Sequence, residues 1–193
     1  MAATFLEMAE RHRAADMLIQ GFFEKQDGKA CSVGCFNADL GNAPDDFEAL
    51  ANFTGYPEWA HRLQEAIFEG LPPDEAKDWH VQFAERCERV RDWKTQYHQT
   101  MIGVLNIALP HDTSIVVQPV IDLHKRAMIG DTPTAAEWAA ARDATRAAAR
   151  DAARAAAWAA EATRAAAWAA EATRAAAWPD IRDAFLNTQS DTP

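Results

Sequence analysis

"RAAAWAAEATRAAAWAAEATRAAAW", Arg154 to Trp178, sets an arginine and a tryptophan into alanine every ten residues. Alanine is the best intrinsic helix former. Upstream, "DTPTAAEW" offers a start in which Thr134 and Glu137 have capping-box spacing, with Thr132–Pro133 as an equivalent start one turn earlier, and no proline interrupts the run before Pro179. The segment is therefore predicted to be helical throughout. About 44 residues at 1.5 Å each make a rod of roughly 66 Å, whereas a globule of this length is about 40 Å wide. The tail must fold back as a hairpin or overhang.

At 100° per residue from Trp138, all four tail tryptophans and all six arginines fall on one half of the helix. The other half is nearly all alanine, with Thr145, Thr163 and Thr173 among it. Small side chains let a second helix approach closely, so one flank is expected to pack and the other to display rings and guanidiniums. Arg154, Arg164 and Arg174 each precede a tryptophan by four, a spacing that permits cation–π contact worth about 0.5–1 kcal/mol.

Outside this tail lies an acidic body. The 193 residues carry a formal charge of −10 with 49% apolar content, which describes a globular chain and excludes a basic nucleic-acid footprint. From Thr134 to Trp178 six arginines face five acids, so the remainder carries −11. Three cysteines are too few, and odd in number, for a disulfide framework, and the charged N-terminus lacks an apolar signal core. A cytoplasmic setting is expected. The longest apolar run, "MIGVLNIAL", is half a membrane span.

The fold class expected is all-α: a body of about five helices over residues 1–131, then the helical tail over 132–193, packed on the body or on another subunit. Apolar spacing predicts a first helix from Ala2 to about Gln20, ending at Gly21. Between Glu24 and Pro57 the Gly, Asn, Asp and Pro density predicts connection, broken by a short strand at "CSVGCF" and a short helix at "PDDFEALANF". Prolines open, and Gly70 closes, helices at "PEWAHRLQEAIFEG" and "PPDEAKDWHVQFAERCERV". Further helices are expected over Asp92–Ala108 and Asp112–Ile129.

Candidate ligand-binding residues form two groups. In the tail, Arg142, Arg146, Arg154, Trp158 and Arg164 supply forked phosphate donors and a stacking plane; the competing reading makes the tryptophans anchors and the arginines a solvated rim. Near the N-terminus, His12 and Asp16, four apart, are expected to share a helix face just before "CSVGC", where Ser32 and Gly34 let backbone N–H groups approach an anion. Cys31 and Cys35 with His80 or Cys87 offer a zinc alternative, but C-x3-C is not the usual spacing. No catalytic residue, metal or cofactor is therefore assigned. Arg62, Glu65 and Glu69 read as a solvated, paired stripe.

"HRAADMLIQGFFEKQDGKACSVGCF" and "GYPEWAHRLQEAIFEGLPPDEAKDWHVQFAERC", followed by the alanine-rich tail, resemble a family of small bacteriophage and prophage proteins loosely labelled hypothetical or immunity-like. The likeness is most specific around His12 and Asp16, at "CSVGC" and at "EAIFEGLP"; "CERVRDW" stands where an "IPVG" type of turn is expected. The resemblance implies a setting inside an infected bacterium and a task of blunting host defence. Two functions follow as expectations: a non-catalytic sponge for a nucleotide-derived immune signal, or an acidic interaction protein that blocks a host nuclease or CRISPR-type effector by imitating nucleic acid or by occluding a basic surface on it. A homo-oligomer, built by covering the alanine flank with a second copy, is expected in either case.

Overall fold

A computed structural model describes residues 3–112, 114–162 and 177–187, with the side chains of 152–162 outside the description. Among the described residues the chain is helical without a strand, as expected. No described helix is long and apolar enough to cross a membrane. Two compact units divide it, Met1–Trp93 and Lys94–Pro193.

The first unit is built from α1 (Phe5–Ala14), α2 (Ser32–Leu40), α3 (Phe47–Thr54), α4 (Glu58–Gly70) and α5 (Pro73–Arg89). Thr4 and Glu7 close a capping box on α1. This helix stops at Ala14, well short of Gln20, because Asp16 takes a left-handed φ of 51°. The expected strand at "CSVGCF" is instead the start of α2, capped by the Cys31 sulfur accepting from Gly34 N–H. Every residue from Ser32 to Asn37 is buried. A helix covered on all sides has no amphipathic period to read. The short helix at "PDDFEALANF" is α3, and the proline-opened helices are α4 and α5.

Aromatic rings fill the centre of this unit. Phe36 of α2 stacks on Phe5 of α1 at 4.1 Å and on His80 of α5 at 4.6 Å, while Phe83 and Trp79 of α5 lie 5.6 Å apart. Phe36, Phe68, Phe83, Trp79 and Ile67 are fully buried, each contributing about 1.5–3 kcal/mol of hydrophobic stabilisation. The loop before α2 closes tightly over it: Cys31 N–H donates to Phe22 O, and a Cβ on Gly34 would stand 2.1 Å from the Phe23 carbonyl oxygen. Only glycine fits there.

The second unit holds α6 (Trp93–Ala108), a 3-10 turn (Leu109–His111), α7 (Val117–Met128), α8 (Ala135–Ala162) and a helical run over 177–186. Thr134 and Glu137 form the expected capping box on α8. Trp138 packs on His124 of α7 at 4.8 Å, and Arg126 bridges to Glu137 at 2.6 Å, so the first turns of α8 are pinned to α7. Gly103 of α6 sits where a Cβ would lie 3.1 Å from the Ala184 methyl. Of the expected helical tail, α8 gives 28 residues, and 177–186 are helical again; residues 163–176, and with them the choice between one rod and a hairpin, lie outside the described residues. On the alanine flank Ala141 and Ala148 are half-buried and Ala144 is exposed, so close packing there is partial.

Candidate functional site

One hydrogen-bonded chain links all five helices of the first unit. His12 Nε2 lies 2.6 Å from Asp39 Oδ2, and His12 Nδ1 lies 3.1 Å from His80 Nε2. His80 Nδ1 is 2.8 Å from Ser32 Oγ, which also accepts from Gln64 Nε2 at 2.5 Å. Gln64 Oε1 is 3.2 Å from His61 Nδ1, and His61 Nε2 is 2.9 Å from Thr54 Oγ1.

Asp39 fixes the direction of every link. An ionised carboxylate only accepts, so His12 must donate from Nε2 and accept at Nδ1. His80 then donates from Nε2 and accepts from the Ser32 hydroxyl. Gln64 donates its amide N–H to Ser32 and accepts from His61 Nδ1, leaving Nε2 to accept the Thr54 hydroxyl proton, for which the Leu50 carbonyl at 3.0 Å competes. Thr54 is in turn held by the Tyr56 N–H at 3.2 Å. All donors point toward Asp39, and each of the three imidazoles carries one proton.

Charge agrees with this assignment. Burial pushes the Asp39 carboxyl up, but its bonds from His12 and Arg11 more than offset that and hold it below the usual carboxylate range. Lys25 stands 3.9 Å away. Burial lowers His12 against the pull of Asp39, lowers His80 strongly, and brings His61 down to about 4. The three rings are neutral at pH 7.

The arrangement resembles a serine–histidine–carboxylate relay with a second histidine inserted, but it is sealed. His12, Ser32, His61, Gln64 and His80 are fully buried. Two surface clefts among the described residues of this unit, of about 340 and 300 Å³, are lined by Leu18, Gln20, Lys29 and Lys77 in one case and Glu10, Arg13 and Asp78 in the other; neither reaches the chain. A nucleophile must come within hydrogen-bond reach of its substrate, and Ser32 presents no surface to one. Buried and satisfied polar chains fix a single packing of a core.

A second group surrounds the same helix start. Glu65 of α4 accepts from Val33 N–H at 2.9 Å, and Glu69, one turn on, accepts from Gly21 N–H at 3.0 and 2.8 Å. Burial raises Glu65 to about 7, with Val33 and Cys31 opposing and Glu69 adding to the rise. Glu65 is thus not part of a solvated stripe: it is 6% exposed, and Arg62 pairs with Glu58 instead. The zinc alternative also fails. Cys35 Sγ faces the Met17 and Ala30 carbonyls, and His80 is spent in the chain.

Of the sequence-derived candidates, His12 and Ser32 enter one network and Gly34 lies beside it. Asp16 does not share a face with His12. It is exposed and bonded by Lys29 and by Lys77 (2.6 Å), which hold its carboxyl at about 2. Arg142 and Arg146 are exposed on α8 in the other unit. Arg154 and Trp158 fall within α8 with side chains outside the description, and Arg164 lies outside it altogether. Sequence reasoning missed Asp39, Thr54, His61 and Gln64, and saw His80 only as a metal ligand. A signal existed for two of them: residues 60, 61, 64, 65, 67 and 68 form the buried stripe of α4, and His61 and Gln64 are polar residues inside it. No protein-family model, curated protein or solved structure matches this chain.

Proposed function

We propose that this protein is a non-catalytic binder that captures an anionic, nucleotide-derived ligand through the guanidinium stripe of α8. The carrying observation is the row Arg142, Arg146 and Arg150, set four apart on one helix face. All three are exposed, and no carboxylate among the described residues engages them. Their Cβ atoms step along the helix by about 6 Å, and each guanidinium presents a planar fork suited to phosphate oxygens. The resemblance to phage proteins supplies the setting, a signal molecule of host defence. His12, Ser32 and Gly34 leave the contact set because they are buried, and Asp16 leaves it as a carboxylate already paired.

The test is calorimetric titration of the full chain with a cyclic dinucleotide, with inorganic phosphate as control. Arg142→Ala/Arg146→Ala/Arg150→Ala is expected to weaken binding at least tenfold with an unchanged melting temperature, and the ligand is expected back intact after heat denaturation. Undiminished binding by the triple variant sinks the proposal, and so does recovery of a hydrolysed ligand.

The competing reading rests on charge. Met1–Trp93 holds eighteen acidic and nine basic residues, so −9 of the total −10 lies in the first unit. Such a surface suits a basic face of a defence effector. Co-purification with that effector, without nucleotide binding, selects it. The homo-oligomer stands as part of the proposal, read by light scattering against the 21.3 kDa chain mass.

A further inference from the structure

Cys31, Glu65 and Glu69 bring one sulfur and two carboxylates together beside the start of α2, with ligand-capable atoms all within 4.8 Å of one another. A backbone N–H steadies each: Gly34 on the Cys31 sulfur at 3.4 Å, Val33 on Glu65 Oε2, and Gly21 on Glu69. Glu65 Oε1 is left over. It is buried, in a side chain with only 6% exposure, no well-aligned donor reaches it, and the weak Cys31 S–H is the thiol that stands beside this carboxyl. A buried acceptor so poorly satisfied carries a desolvation cost that a bound group would remove. Three converging electron-pair donors, with no cationic side chain among the described residues paired to them, specify what that group is.

We propose that Cys31, Glu65 and Glu69 hold one divalent transition-metal ion of the Zn2+ type. The sulfur excludes Mg2+ and Ca2+, which take oxygen ligands, and favours a borderline ion. Three protein donors with a fourth position open is the composition of a reactive rather than a closed zinc site. Zn–S of about 2.3 Å and Zn–O of about 2.0–2.2 Å place tetrahedral donors about 3.5 Å apart, so from separations within 4.8 Å the cluster has to contract by up to about 1.3 Å. Glu69 is exposed and supplies that movement and the entry path. The N–H contacts act as the outer shell that orients ligands before the ion arrives.

Binding displaces protons. The Cys31 thiol, pushed up by burial and the neighbouring Glu65, gives its proton to solvent as the sulfur takes the ion; Glu65, at about 7, gives up its own where it holds one. Uptake therefore tightens as pH rises. This site shares no residue with the arginine stripe, so it stands or falls independently of nucleotide capture.

Titration of the chelator-treated full chain with Co2+ tests it. One ion per chain is expected, with an intense near-ultraviolet thiolate-to-cobalt band and tetrahedral visible bands that Zn2+ abolishes. Cys31→Ser is expected to remove the charge-transfer band, and Glu69→Gln, an exposed change that still accepts from Gly21, to weaken binding at least about tenfold at an unchanged melting temperature. Absence of the band in the wild-type chain overturns the proposal, as does its persistence in Cys31→Ser. Wild-type affinity in Glu69→Gln also overturns it, and that variant decides the matter if Cys31→Ser does not fold.

Discussion

Ser32→Ala cuts the buried hydrogen-bonded chain at its middle link. The hydroxyl donates to His80 Nδ1 at 2.8 Å and accepts from Gln64 Nε2 at 2.5 Å, and all three residues are fully buried. Alanine keeps the helix and removes one oxygen, so repacking is minor. What remains is an amide N–H and an imidazole nitrogen with nothing to bond. Each stranded group costs about 1–3 kcal/mol, and the space freed is below the volume of roughly 30 Å³ that a replacing water takes up. The expected loss is about 4 kcal/mol, a large part of the 5–15 kcal/mol typical of a folded domain. With a urea slope of about 2 kcal/mol/M, the midpoint falls by roughly 2 M, read by far-ultraviolet circular dichroism. His80→Phe strands a different but overlapping set, so the double variant should lose less than the two singles together by about 1–3 kcal/mol. A Ser32→Ala loss below about 1 kcal/mol, or strict additivity, refutes the view that this chain braces the core.

Acid should weaken the fold early. Unfolded imidazoles protonate near 6.5, whereas burial holds His61 at about 4 and lowers His80 and His12. Between those values the unfolded histidines bind more protons and their contribution to stability falls as pH falls, with His61 alone worth about 3 kcal/mol over the full range; Glu65 titrates with the opposite sign over the same range, so the test is made in Glu65→Gln, where equal urea midpoints at pH 5 and pH 8 contradict this. Glu65 has the opposite sign, since its folded form keeps a proton up to about 7 that the unfolded form releases near 4.5. Glu65→Gln is therefore expected to stabilise the metal-free protein above pH 7 by up to about 3 kcal/mol and to do nothing below pH 4.5, as urea unfolding at the two pH values will show. Gly34→Ala drives a Cβ to 2.1 Å from the Phe23 carbonyl; a loss of at least about 3 kcal/mol is expected, and a thermal midpoint within a degree of wild type counts against so tight a closure of the loop over α2.

Helices with one apolar stripe and marked ends were legible. α4 and α5 carry both, from Pro57 and Gly70 and from the paired prolines at 72 and 73. α2 was not, because small and apolar residues cover it all round and its cap is a cysteine, outside the usual capping set. The site was legible only where neighbours in space are neighbours in sequence. Thr134 and Glu137 met that condition; His12 did not, since its carboxylate comes from Asp39, 27 residues away, rather than from Asp16. Glu65 and Glu69 look like a surface stripe until Val33 and Gly21 are seen to bond to them. No local period carries that information.

The one-way order of donors from Thr54 to Asp39 constrains how this sequence can vary. Exchanging any one link obliges its neighbour to swap giving for taking, and the swap propagates until it meets a carboxylate with no proton to give. Thr54, His61, Gln64, Ser32, His80, His12 and Asp39 should thus behave as a single heritable block. Among functional descendants randomised at these seven codons, survivors are expected to retain the whole set or to replace it wholesale with hydrocarbon.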